Sequence, residues 1–174
     1  MSPGLRKLAL SVHIALSVGW IGAVAAYMAL DVTVATSEDI RTLHAAYLAM
    51  ELIVRSVIVP LAFAALVTGL VMSLGTKWGV FRHYWVLISL LLTSLATVVL
   101  LLETRTIGAL ADLAADPATS GEDLRALGST LVHSVGGTVV LLAVLVLNVY
   151  KPQGMTPYGW RKHREPRTAP GDGG

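Results

Sequence analysis

Four long apolar runs, broken by short polar segments, dominate the chain: Leu8–Leu30, Leu52–Leu74, Trp85–Leu102 and Leu131–Tyr150. Each approaches or exceeds the roughly 20 residues that a helix needs to cross a bilayer. Backbone groups in lipid must satisfy their own hydrogen bonds, so the four runs are predicted to be helices. The break at Gly75–Val80 is short and predicts that spans two and three form a hairpin. Asp116-Pro117-Ala118-Thr119-Ser120-Gly121 reads as a turn between spans three and four. Ser37, followed by Glu38 and Asp39, has the pattern of an N-cap with first-turn acids. The second helix is therefore expected to start before its apolar run and to project over Ile40–Met50. Pro60 is a candidate kink within it.

Polar residues inside the runs recur at helical spacing. Residues seven apart are two turns apart and point nearly the same way. His13, Ser17, Trp20, Tyr27 and Asp31 share one face of the first helix; His83, Ser94 and Thr97 share one of the third; Ser129, His133 and Gly137 one of the fourth. The second carries His44, Glu51 and Arg55 on one side near its outer end. The expectation is that the four stripes converge on a bundle axis.

Composition agrees with the pattern. Of 174 residues 55% are hydrophobic and 14% charged, and the mean hydropathy is +0.69, the balance of a membrane protein. The charges are sorted by side. Arg6, Lys7, Lys77, Arg82, Lys151, Arg161, Lys162, Arg164 and Arg167 flank alternate ends of the runs, and Asp31, Glu38, Asp39, Asp112, Asp116, Glu122 and Asp123 the others. The basic pI is thus no nucleic-acid footprint. It predicts an all-α, four-helix transmembrane bundle, up-down-up-down, with both termini cytoplasmic. Residues 1–164 form one membrane domain, and the Pro- and Gly-rich tail 165–174 is expected to be disordered. The first run is too long for a signal peptide's apolar region of about 7–15 residues and is expected to remain. The chain has no cysteine, which excludes disulfides, iron–sulfur clusters and thiolate or covalently attached haem.

That leaves histidine as the residue with most chemistry. An ionisable group within an apolar run is a functional candidate, although a lone histidine can equally serve as a hydrogen bond between helices. Bundle cores commonly hold cofactors on side chains from facing helices. At 1.5 Å per residue from the inner boundary, His13 lies about 10 Å deep and His133 and Arg55 about 25 Å. His83 falls near the inner surface and His44 beyond the outer one, so no two histidines are level. Glu51 and Arg55, at i and i+4, read as an ion pair, with Arg55 as a partner for a haem propionate the alternative. Trp78, Tyr84, Trp85, Tyr150 and Trp160 have the places of interfacial aromatics, and Met28, Met50 and Met72 those of packing residues. Arg161-Lys162-His163-Arg164 reads as a topology anchor.

His13, Trp20 and Gly22 together resemble the entry helix of the copper-resistance-D-like superfamily of small membrane proteins, which includes the HemJ-type protoporphyrinogen oxidases. Met50-Glu51, Arg55, Pro60 and Thr68-Gly69-Leu70 are similar to the second-helix pattern of HemJ. WGVFRHYWVL at Trp78–Leu87 and YKPQGMTPYGW at Tyr150–Trp160 resemble a bacterial family within that group. The resemblance implies a four-helix fold in a bacterial inner membrane and, for the HemJ branch, b-type haem held by His13. It also implies a departure: HemJ enzymes use a lysine in the third helix, and here Ser89 and Thr93 lie in a span without one.

The expected function is that of a cytochrome b-like haem protein in electron transfer or a redox role. His13 and His133 are candidate iron ligands, with His83, His44, Arg55 and Trp20 as further cofactor-binding candidates. Partners would be the bilayer, a redox protein or a quinone, and a second copy of the chain. A copper-handling protein and a cofactor-free assembly partner are the alternatives, the first weakened by scattered methionines and the lack of a Met- or His-rich loop.

Overall fold

A computed structural model describes residues 2–75, 80–116, 118–152, 154–157 and 160–161. Helix α1 runs Pro3–Thr36, α2 Ile40–Gly75, α3 Tyr84–Ala115, α4 Gly121–Ala126 and α5 Leu131–Tyr150. All but α4 are long and apolar enough to cross a membrane, and no strand occurs among the described residues. α1 packs on α2 and α5, and α3 on the same two, so α1 and α3 face each other across one diagonal of the bundle. Lipid offers apolar side chains no driving force to leave it, so close packing of small residues holds such helices together. Ala46, Ala62 and Ala65 on α2 and Ala111 and Ala114 on α3 are all buried.

The helices differ in length. At 1.5 Å per residue α5, with 20 residues, is about 30 Å long, while α1, α2 and α3 exceed it by about 18–24 Å. The extension of α2 over Ile40–Met50 is present, and α3 has a matching one beyond Leu102, where Glu103 and Arg105 end the apolar run. The two extensions pack together through Leu43, Tyr47 and Met50 of α2 and Ile107, Ala111 and Ala114 of α3. α4 and the following loop are tied to the start of α2 at that end: the Tyr47 hydroxyl donates to the Gly128 carbonyl (2.8 Å), with that of Leu124 at 3.3 Å, and the Arg125 guanidinium donates to the Glu38 carbonyl (2.6 Å).

At the opposite end residues 154–156 lie along 81–84. The Thr156 N–H donates to the Arg82 carbonyl (3.0 Å) and the Tyr84 N–H to that of Gly154 (3.3 Å). The two motifs of the bacterial-family resemblance are therefore in contact with each other, a relation invisible in either alone.

Three local expectations change. Ser37 ends α1, and Asp39 is the N-cap of α2, its carboxylate accepting from the N–H groups of Arg41 and Thr42 (3.4 and 3.1 Å) and from the Thr42 hydroxyl (2.6 Å). Pro60 is preceded by a π-helical turn at Val54–Ile58, in which the Val59 N–H reaches back five residues to Val54. Proline supplies no N–H to the carbonyl four residues earlier, and the wider turn absorbs that break. Trp85 is buried instead of standing as an interfacial anchor, whereas Tyr84, Tyr150 and Trp160 are exposed. Lys77, Trp78, Pro117, Lys162, His163, Arg164, Arg167 and the tail 165–174 lie outside the described residues.

Candidate functional site

The stripe on α1 does face the bundle: Trp20, Tyr27 and Asp31 are buried and His13 is half-buried. Its polar members meet two different neighbours. At one level, His13 Nδ1 lies 2.9 Å from the Thr68 hydroxyl of α2. That hydroxyl donates to the Ala64 carbonyl at 2.7 Å, with a second acceptor, Ala65, at 3.1 Å. With the Thr68 proton on one of those carbonyls, Nδ1–H would donate to the hydroxyl and leave the lone pair on Nε2; the other tautomer reverses the bond. Gly69 makes the approach possible. A Cβ there would stand 3.1 Å from His13 Cε1, tighter than ordinary contact. A neutral imidazole whose Nδ1–H is held and whose Nε2 is free is the form in which histidine ligates a metal.

At the other level, Asp31 is fully buried (0% exposed) and accepts from the Thr130 N–H (2.9 Å), the Thr130 hydroxyl (3.0 Å) and the Ser134 hydroxyl (2.8 Å). With the Thr130 proton on the carboxylate, the Tyr27 hydroxyl, 2.7 Å away, donates to Thr130. A helix N-terminus leaves backbone donors without partners and carries partial positive charge. Thr130 makes no side-chain cap of its own, and Asp31 takes that place from α1. The carboxylate is a structural clamp with both of its oxygens hydrogen-bonded.

Between these elements is a cavity of about 310 Å³, walled by Trp20 and Tyr27 of α1, Val54 and Ile58 of α2, and residues of α3 and α5. Its polar edge is His133 of α5, with Nε2 3.3 Å from Glu103 Oε1 of α3. The expected stripe on α5 is turned: Ser134 and Leu141 face the core, while Ser129 and His133 are exposed.

The remaining candidates are apart from both places. His44 Nδ1 is bonded to the Ala114 carbonyl, where it joins the extensions of α2 and α3. His83 is the N-cap residue of α3 and pairs with Met155. Arg55 Nε is 2.8 Å from Glu51 Oε1, with 57% of its side chain exposed against 26% for Glu51. Its guanidinium crosses Gly108 of α3, where a Cβ would come within 2.6 Å of Nη2. The geometry is that of the ion pair, lodged in a groove that glycine opens. Trp20 lines the cavity, His13 does not, and among the described residues no three His, Cys, Asp or Glu side chains converge to hold a metal ion.

Sequence reasoning placed Asp31 among outer-loop acids, although its spacing from Tyr27 put it on the inward face. Thr68 was noted only within a motif, and Glu103 lay just past the end assigned to span three. Comparison of the chain with models of known families, with curated proteins and with solved structures finds no match.

Proposed function

We propose that this multi-pass membrane protein binds b-type haem through His13 and serves in electron transfer or another redox role. The bundle would lie up-down-up-down in a bacterial inner membrane with both termini cytoplasmic. The observation that carries the haem reading is the 2.9 Å contact between His13 Nδ1 and the Thr68 hydroxyl on a half-buried ring, which suits the tautomer with its lone pair on Nε2.

The residues there fit a histidine that would hold haem iron. Thr68 would fix the tautomer and hold the ring plane, and Gly69 would give the imidazole room against α2. Bound haem would supply one-electron chemistry at an iron whose potential is set by its ligands and by burial. Arg55 is engaged with Glu51, which favours the ion pair over a propionate partner. Two contacts support the up-down alternation. Residues 154–156 join the α2–α3 connection at one end, and Arg125 joins Glu38 at the other, so alternate connections share an end, as the sorted charges require.

The same bond also favours a second reading, in which His13 is an interhelical tie between α1 and α2 and holds no cofactor. An absorption spectrum of the purified protein, with haem and copper quantified per chain, separates the two. A Soret band that shifts on dithionite reduction supports haem. Colourless protein at full occupancy of the membrane leaves the tie.

A further inference from the structure

Glu103 and His133 contact each other, and among the described residues neither has another polar partner. Around them Tyr27, Thr130 and Ser134 are committed to Asp31 and to one another. The unclaimed hydrogen-bonding capacity of the cavity is therefore confined to one edge: a second imidazole nitrogen and the second carboxylate oxygen. The rest of the wall is apolar, with Trp20 (4% exposed) presenting an aromatic surface. Gly136 and Gly137 add nothing to it, since a Cβ on either would meet no atom within 4 Å. A volume of about 310 Å³ is at the lower end of the range for small-molecule sites. The mouth opens between α3 and α5, where Leu95, Val99 and Val132 (84% exposed) face outward on an apolar surface.

We propose that this cavity binds a planar, carbonyl-bearing ring on an apolar tail, the chemistry of an isoprenoid quinone, with the ring edge at Glu103 and His133 and the tail leaving between α3 and α5. An imidazole N–H donates to a carbonyl and a carboxylate accepts from a hydroxyl, so the pair matches both the quinone and the quinol form. An acyl chain offers nothing to either group, and a phospholipid phosphate would be repelled by Glu103. Aromatic walls favour a ring over a flexible chain. The site stands apart from His13 and does not depend on haem being bound there.

The test uses the full-length protein in dodecyl maltoside with decyl-ubiquinone as probe, read as quinone retained per chain after gel filtration. Haem content and a circular-dichroism melt are recorded on the same samples. The wild type should retain about one quinone per chain, saturably. Gly137→Phe, which fills the cavity, and His133→Leu, which removes the donor, should each lower affinity at least tenfold with haem content unchanged. Leu74→Phe, at an exposed position of α2 far along the helix from the cavity residue Ile58, should bind as the wild type does. No saturable retention by the wild type would overturn the site, as would wild-type retention in a folded Gly137→Phe protein. If Gly137→Phe fails to fold, undiminished binding by His133→Leu overturns it. Stoichiometric phospholipid in place of the quinone overturns it too.

Discussion

The carboxylate of Asp31 accepts the backbone N–H of Thr130 at 2.9 Å, so a side chain of α1 caps the first turn of α5. This joint fixes the height at which α5, the shortest of the four long helices, begins within the other three. It also sets the position of His133, three residues on from Thr130, at the edge of the cavity.

Asp31→Ala is expected to cost about 2 kcal/mol, the scale of hydrogen bonds to a charged group, because it strands buried donors on Thr130 and Ser134. Asp31→Asn, which keeps an acceptor, should cost less. Unfolding midpoints in a detergent titration measure both. Equal midpoints for Asp31→Ala and the wild type would show that Thr130 caps α5 without help.

Glu51 and Arg55 should behave as a coupled pair. Arg55→Met and Glu51→Leu each leave an ionised partner beside apolar helix faces, so each single change should lower the unfolding midpoint. The double change should recover much of that loss, as replacement of ion pairs by apolar groups often does. The exposure of Arg55 keeps the coupling near about 1 kcal/mol or below. Additive losses would mean that the two side chains act separately, with Arg55 serving another anion.

The orientation is open to cysteine labelling, since the natural chain has none. Thr36→Cys and Ala118→Cys should react with an impermeant reagent applied from outside intact cells. Reaction only after the inner face is exposed would invert the bundle and every depth derived from it.

The N-cap of α2 should be sensitive to acid. The Thr42 hydroxyl first, then the Thr42 N–H, hold the Asp39 carboxyl below the usual carboxylate range. A carboxyl whose pKa is lower folded than unfolded contributes stability above the unfolded value, and that contribution is lost as pH falls through the folded one. Exchange protection of the Arg41 and Thr42 amides should therefore be constant near neutrality and drop in acid. Asp39→Ala should show the acid behaviour at neutral pH. Protection that is the same in acid and at neutrality would contradict the assignment.

The four apolar runs were legible because membrane helices are written in continuous hydropathy, which needs no partner to be read. The extension over Ile40–Met50 was legible from its cap region. The matching one on α3 was not, because Glu103 and Arg105 end the apolar signal while helix propensity continues to Ala115. Helical spacing placed Trp20, Tyr27 and Asp31 on one face correctly. It failed on α5, where His133 and Ser134 are neighbours and a rotation of one position decides which faces inward. Partners across helices, such as Thr68 for His13 and Glu103 for His133, depend on register between segments far apart in the chain.

The central claim is that His13 holds haem, and haem per chain in wild-type and His13→Ala protein tests it most directly. With haem quantified by its pyridine complex in detergent-purified samples matched for helicity, the wild type should carry close to stoichiometric haem and His13→Ala almost none. His133→Ala, His44→Ala and His83→Ala should carry haem as the wild type does. Haem undiminished in His13→Ala, or absent from the wild type, would contradict the account.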